Sequence, residues 1–496
     1  KFHKMMKRFL PICVIMTAAL ICPLSCDAAG EEGGKTDGPV VVADKDVENL
    51  DRSMELFDKA YENYFDQSAG MAMSRKYNPY TGKRSDEKGS VWMYTSSIEA
   101  VNAILAALEQ QKAKGNSDIY DRNFSKYTGV LSKLVSGLDY YRGTFRLVGF
   151  TQTRDWSVYA VNRASSANTA NVDGIQNVYD DQMWLVRELI EAYRLTGTAS
   201  YLEKAEYLAE YVIDGCDCTI KDGKERGGIT WGPGYYSKHS CSNGPIVSPL
   251  VWLHEIYKGS QETVTYRHID AENGFRRVSE EMNKSDYYLM FARKIYHWQV
   301  DNLMYTRDNV GSNDPKVIGL FADNLNGSSL NGIQTETIGG VVYRKPADLS
   351  DFCNPAYSYN TGSMISGAVD LLRATGDASY QSDIVSMTDK SFAYFASKNT
   401  KGQYAYNVSG FNNWFNGVLM RSWVDACKVY PGTEAPIASF QDNLDYAYEN
   451  FLYEGMLPPS LLGGWNKDES KNEMEGMFAF TFAAEYAVLS RYQSEK

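Results

Sequence analysis

Asn177-Val178-Tyr179-Asp180-Asp181-Gln182-Met183-Trp184-Leu185 opens a segment that continues through Leu195 and stops at Thr196-Gly197. Apolar residues at Trp184, Leu185, Leu189, Ala192 and Tyr193 keep the helical spacing, Gly197 is a natural stop, and Asn177 is expected at the N-cap. The spacing predicts a helix over 178–195 whose first turn carries adjacent carboxylates, Asp180 and Asp181. Acids in a first turn complement the helix dipole, and a lone acid needs no other explanation. Here the pair stands among Tyr179, Met183 and Trp184, where charge is costly unless it has a use. Neighbouring side chains on a helix point about 100° apart, with Cβ atoms roughly 5–6 Å from each other. Carboxyl groups about 5 Å apart suit a retaining glycosidase, whereas an inverting one needs room for a water. One carboxylate raises the other's proton affinity, which favours an ionised nucleophile beside a protonated acid.

Outward from this helix the same periodicity recurs, giving twelve candidate helices between 51 and 490 with few strand signals. Long connections follow the odd-numbered helices, over 65–90, 142–177, 215–245, 304–360, 398–413 and 454–471. Those after even-numbered helices are mostly short, and two share a phrase, Leu195-Thr-Gly-Thr-Ala-Ser-Tyr201 and Ala374-Thr-Gly-Asp-Ala-Ser-Tyr380. The exception is 258–284, which carries Arg267, His268, Arg276 and Arg277 and reads as an insertion. If successive helices run antiparallel, every long loop falls at one end. Six hairpins closing into a ring predict an all-α fold, an (α/α)6 barrel with even-numbered helices inside. Asp180 and Asp181 then face the floor of a loop-walled cleft, the usual placement of function on a rigid scaffold.

Other inner-helix entrances carry aromatic and amide side chains. The loop Arg226-Gly-Gly-Ile-Thr-Trp231-Gly-Pro-Gly-Tyr235-Tyr236 leads into Ser240-Cys-Ser-Asn243-Gly-Pro245 ahead of the sixth helix. Its glycines permit close backbone approach and Trp231 offers a face to a sugar ring, while a tight structural turn explains Gly227 and Gly228 equally well. No Lys-Ser/Thr ending follows, so a phosphate loop is excluded. Tyr359 and Asn360 stand before the eighth helix, and Trp414 and Phe415 before the tenth. Each Asn also has a structural explanation as a helix cap. Aromatics make up 13% of the chain, with 36 Tyr and 9 Trp, an ample supply of flat faces for stacking sugars or for filling helix interfaces.

Lys1, Lys4, Lys7 and Arg8 followed by an apolar run from Leu10 to Leu24 read as an export signal over 1–25. Cleavage after Ser25 would leave Cys26 for lipidation, with a flexible tether over 26–49 and one catalytic domain over 50–496. Ordinary secretion is the rival. Loss of the leader takes the formal charge from −12 to −16, which argues against nucleic acid and suits a neutral glycan. Of eight cysteines, Cys216, Cys218 and Cys241 lie near enough in sequence for one disulfide, and Cys353 and Cys427 read as isolated thiols. His239, His254, His268 and His297 lack ligand spacing, so neither a metal nor another cofactor is expected.

Tyr179-Asp180-Asp181 with Trp184, Gly227-Gly228-Ile229-Thr230-Trp231, Asn243-Gly244-Pro245 and Tyr359-Asn360-Thr361-Gly362-Ser363-Met364-Ile365 occur in this order. Together they resemble glycoside hydrolase family 76, the bacterial and fungal α-1,6-mannanases, from about Asp51 to the C-terminus. The resemblance implies an (α/α)6 barrel that hydrolyses α-1,6-mannan with retention, acting endo and as a monomer. Asp180 would be the nucleophile and Asp181 the general acid/base. Tyr179, Trp184, Trp231, Asn243, Tyr359, Asn360, Trp414 and Phe415 would bind substrate. The chain departs from the family at Phe415-Asn416-Gly417, where Lys is frequent in the middle, at Thr361, where Gln is common, and in the 258–284 insertion. The rivals are an (α/α)6 hydrolase of another α-linkage and a non-catalytic glycan-binding lipoprotein.

Overall fold

The computed structural model describes residues 44–327 and 333–496. Along these residues run α1 (Lys45–Tyr64), α2 (Val91–Ala113), α3 (Ser117–Gly137), α4 (Tyr179–Thr196), α5 (Ala199–Asp214) and α6 (Gly244–Ile256). They are followed by α7 (Lys284–Leu303), α8 (Ser358–Thr375), α9 (Ala378–Phe395), α10 (Asn412–Ala426), α11 (Glu434–Phe451) and α12 (Gly476–Ser494). Each even-numbered helix packs on the next, α2 on α4 and so on to α12, which returns to α2 and closes an inner ring. The odd-numbered helices lie outside it, α3, α5, α7 and α9 against the inner helix before each in the chain, α1 against α12. The fold is an (α/α)6 barrel.

Burial follows from sequence pattern. In α12 every residue from Gly476 to Ser490 is buried, and α2 is apolar enough to cross a bilayer yet lies inside the ring. A helix apolar on all sides needs neighbours all round, and the inner position supplies them. The outer α1 buries one stripe, Leu50, Ser53, Leu56, Phe57, Ala60 and Tyr64, together with Asp46 and Asn49 at its start, and each large apolar side chain there contributes about 1.5–3 kcal/mol.

The domain begins earlier than the sequence suggests. Helix α1 starts at Lys45, so 45–49 belong to the barrel and not to a tether. Asp46 is 2% exposed and accepts from Gln111 Nε2 at 2.8 Å, its carbonyl accepts from Ser490 Oγ at 2.6 Å, and Asn49 exchanges amide hydrogen bonds with Gln441. These long-range partners are invisible to a local reading. The leader, Cys26 and the rest of the tether through 43 lie outside the described residues.

The repeated phrase gives a repeated turn. Gly197 and Gly376 both cap their helices at φ 70°, ψ 11°, donating to Tyr193 O and Leu372 O at 2.7 and 2.8 Å. Strands, by contrast, sit in the connections after odd-numbered helices. They include the hairpin β1 (Arg142–Val148)–β2 (Thr153–Tyr159) and, in the next loop, β3 (Lys238–His239). The insertion is the exception in place: it follows α6 and forms the hairpin β4 (Thr263–Asp270)–β5 (Arg276–Asn283). Beyond α7 come β6 (Ala322–Asn326), β7 (Thr335–Ile338), β8 (Val341–Arg344) and β9 (Asp351–Ala356), with β6 between β9 and β3 in a three-stranded sheet. The insertion leans on this loop layer through Arg277, which donates to Phe150 O at 3.0 Å and lies 4.2 Å from the Tyr343 ring.

Candidate active site

The first turn of α4 is tied to the glycine-rich loop, since Tyr179 N donates to Trp231 O at 2.8 Å. That loop is fixed on its other side by α7. Gly227 and Gly228 have φ of +65° and +71°, and a Cβ on them would lie 2.7 and 2.4 Å from the Trp298 ring. Only glycine accepts both the backbone geometry and the indole against it. The buried pair Lys238–Asp217, 2.9 Å apart, and the bond from Lys238 Nζ to Gly227 O at 2.6 Å complete the anchor.

This scaffold reassigns several side chains. Asn243 accepts from Ile229 N at 2.8 Å and donates to Ile229 O at 3.0 Å and His239 O at 2.7 Å, so its amide is engaged within the protein. Tyr179 is 1% exposed, its ring on Tyr211 at 4.9 Å, and serves the core rather than the cleft. Asn177 is not the N-cap: it donates to Val172 O and accepts from Tyr211 OH at 2.6 Å, while Val178 takes the cap position with no side-chain bond. The first-turn N–H groups of α4 are thereby left to Asp180, whose charged form they favour.

Asp180 and Asp181 stand together at this helix entrance, and burial pushes both carboxyls above the ordinary range. For Asp180 the Cys241 thiol, the backbone N–H groups and the Trp231 indole pull the other way. Asp181 has no such relief, is 6% exposed, and is raised further by the charge of Asp180. The proton therefore resides on Asp181 while Asp180 ionises first. Asp180 Oδ1 is buried and accepts no hydrogen bond.

Two aromatic groups border the pair. In one, Trp231 is half-buried, stacks on His239 at 4.6 Å and lies tilted against Tyr235 at 4.5 Å, with the Tyr235 hydroxyl sensing the Asp180 charge. Burial holds His239 near about 4, so its ring is neutral. In the other, Trp414 meets Trp184 and Trp92 edge-on at 4.9 and 5.1 Å, and Tyr359 stacks on Phe415 at 4.3 Å. Tyr359 reaches the pair through Cys241 and Asp180, whose charges lift its hydroxyl after burial does. Asn360 is buried, and neither end of its amide has a protein partner.

Cys216, Cys218 and Cys241 are free thiols, and the disulfide considered from their spacing does not form. Cys241 faces Asp180 and Tyr359, whereas Cys216 and Cys218 sit in the field of Lys294 and Glu225. Cys427 is also free. The sequence reading missed Cys241, Tyr235, Trp92 and Asp323 as members of this end. Asp323, on β6, lies near His239, with its Oδ2 3.9 Å from the imidazole, and burial raises its carboxyl. Nothing local marks it; only pairing of β6 with β3 brings it here.

The sequence profile of glycosyl hydrolase family 76 matches residues 156–256 and 277–477. The chain belongs to this family. It is thus a glycoside hydrolase, and the unmatched stretch between the two segments, 257–276, covers β4 and the turn into β5. No curated protein sequence matches the chain. Among solved structures it is similar to the family 76 mannosidase Bt3792 from Bacteroides thetaiotaomicron VPI-5482, at 20% identity and TM-score 0.63, covering 90% of this chain and 99% of that one. It is also similar to the α-1,6-mannanase GH76A of Salegentibacter sp. HEL1_6, in an inactive variant with alanine at two consecutive aspartates and in complex with α-1,6-mannotetrose. That match has 18% identity and TM-score 0.58, and covers 90% of this chain and 99% of that chain. A D-mannose isomerase shares the architecture at 8% identity and TM-score 0.52, covering 91% of this chain and 99% of that one. The barrel alone therefore does not fix the chemistry.

Proposed function

We propose that this glycoside hydrolase is a retaining, endo-acting α-1,6-mannanase that cleaves the backbone of yeast-type mannan. The observation that carries the reading is the Asp180–Asp181 pair, adjacent and buried at the entrance of an inner helix, with proton affinities driven apart by their surroundings. Asp180, the one supported by donors, attacks the anomeric carbon as the carboxylate. Asp181, which keeps its proton, gives it to the departing glycosidic oxygen. Asp181 then removes a proton from water, which displaces Asp180 from the glycosyl-enzyme. Two inversions leave the anomeric configuration retained. The Salegentibacter relative, inactive with two consecutive aspartates replaced and binding an α-1,6-mannooligosaccharide, supports both the pair and the linkage. The two aromatic groups against Asp180 offer stacking surfaces for more than one sugar, which favours endo action.

We read the protein as a monomer, exported and held at the cell envelope by lipid on Cys26; an unchanged membrane fraction for Cys26→Ala would remove that placement. Incubation with linear α-1,6-mannan, with product sizing and proton NMR of the first anomer released, tests the enzymatic reading. Short oligomers of α configuration are expected. Mannose alone would indicate exo action, a β anomer would indicate inversion, and no product would favour a glycan binder.

A further inference from the structure

Beneath the layer of Trp92, Trp184 and Trp414 the barrel axis is open. A cavity of about 640 Å³ is lined by all six inner helices and runs from the underside of Trp414 to exposed Arg373, Arg491 and Glu495 near their C-terminal ends. That volume falls in the range of small-molecule sites. The Trp414 Nε1 proton is held by Glu99 at 3.2 Å, Glu99 pairs with Arg421, and none of Asp180, Asp181, Trp231 or Tyr359 lines the shaft.

The lining chemistry narrows the occupant. Eight carboxyl groups face six cationic side chains along the shaft. Five of those cations are already paired with lining acids, as in Arg187–Glu188 and Arg421–Glu99. No surplus of positive charge remains for an anion. Among the described residues no cluster of His, Cys, Asp or Glu is arranged to hold a metal ion. Deep in the shaft two polar groups lack partners. Glu485 is 3% exposed with Oε2 unbonded, and Asn102 is 3% exposed with Oδ1 unbonded while its Nδ2 donates to Glu188 at 2.9 Å. Burial raises the Glu485 carboxyl well above the ordinary range and so favours its protonated form, which offers a donor as well as an acceptor. Buried polar groups without partners are costly, and a ligand rich in hydroxyls, each donating and accepting, satisfies both.

We propose that the axial shaft is a second ligand site, distinct from the catalytic cleft, for a small neutral polyhydroxylated molecule of monosaccharide size. The proposal does not depend on the linkage the cleft cleaves. Trp252 lines the shaft, its Nε1 donating to Asp370 at 2.8 Å, and serves as a reporter. Full-length protein labelled with 5-fluorotryptophan is titrated with D-mannose and, separately, inorganic phosphate, using fluorine NMR with the Trp252 signal assigned through Trp252→Phe. A saturable shift of that signal with mannose and none with phosphate is expected. Glu485→Leu, which removes donor and acceptor, should weaken the response about tenfold, and Glu485→Gln, which keeps both, should restore most of it. Ala106→Phe, which fills the shaft without touching an ion pair, should abolish it. An absent mannose shift, or one that persists unchanged in both Glu485→Leu and Ala106→Phe, would overturn the site; a shift with phosphate alone would overturn its ligand class.

Discussion

The two ends of the barrel are built from the same twelve helices by opposite rules. At the turn end α4 passes to α5 and α8 to α9 through one short phrase with one geometry, and a Cβ on Gly197 or Gly376 would meet nothing within 4 Å. At the cleft end every connection differs, and a Cβ on Gly228 would strike the Trp298 ring at 2.4 Å. The turn end solves a backbone problem that any copy can reuse. The cleft end solves a placement problem, in which distant segments must bring Asp180, Cys241, Tyr359 and Trp231 together. Substitutions should therefore be costly and particular at one end, and mild and interchangeable at the other.

The largest expected effect is at Asp180. Asp180→Ala should lower turnover on mannan by on the order of 10⁴-fold or more, and should fail equally on substrates with excellent leaving groups. Asp181→Ala should instead retain glycosylation on an activated aryl α-mannoside, with azide accelerating the slow second step and yielding an α-mannosyl azide. A β-configured azide product from Asp180→Ala would exchange the two roles. Full activity in both variants would reduce the pair to a feature of the helix terminus.

Next comes Gly228→Ala. The left-handed backbone and the Trp298 contact add, so a loss of about 2–4 kcal/mol in urea unfolding is expected. A loss as small as that at an open left-handed glycine would mean that the loop shifts freely and that the anchoring by α7 is weak. Trp231→Ala should follow, weakening oligosaccharide binding by about 1–3 kcal/mol while leaving the melting temperature nearly unchanged. A large fall in melting temperature would assign the indole to the core.

Asp181→Asn sharpens the contrast through stability. Burial and the neighbouring charge raise the Asp181 carboxyl in the folded state, so the native protein binds this proton more tightly than the unfolded chain. Native stability then falls as pH rises above the unfolded carboxylate value, near 3.9. Asn has no proton to lose, so the variant should gain on the wild type between pH 4 and pH 8, by about 1–3 °C in melting temperature at the upper end. A constant difference across that range would show that the carboxyl titrates without strain.

What was legible in the sequence follows the same division. The helix expected over 178–195 runs over Tyr179–Thr196, because its apolar stripe and the Gly197 stop are local signals. The repeated phrase announced the hairpin repeat, and the alternating loop lengths placed Asp180 and Asp181 at an inner entrance. Partners from other segments carry no local signal: Tyr211 draws Asn177 away from the expected N-cap and takes the Tyr179 ring into the core, and Ile229 engages the Asn243 amide. Asp323 was missed for the converse reason: an acid inside a long loop carries no mark until its strand pairs with β3. Strands β4 and β5 read only as an insertion, since Thr263-Val-Thr-Tyr266 alternates as a hairpin strand should but Ile269 falls out of phase.

The smallest effect tests the turn end itself. Gly197 and Gly376 share φ 70°, ψ 11°, each donates to a helix carbonyl four residues back, and each precedes a residue whose N–H bonds a threonine hydroxyl at 3.2 Å. With open space around both, alanine pays only for the left-handed backbone, about 1 kcal/mol. Asparagine tolerates that region better and should cost a few tenths of a kcal/mol. The two sites lie in separate hairpins of the ring, so their costs should be equal and should add in the double variant, as measured by urea unfolding. Unequal or non-additive losses would mean that the turns sense their surroundings as the cleft loops do, and the contrast between the two ends would fail.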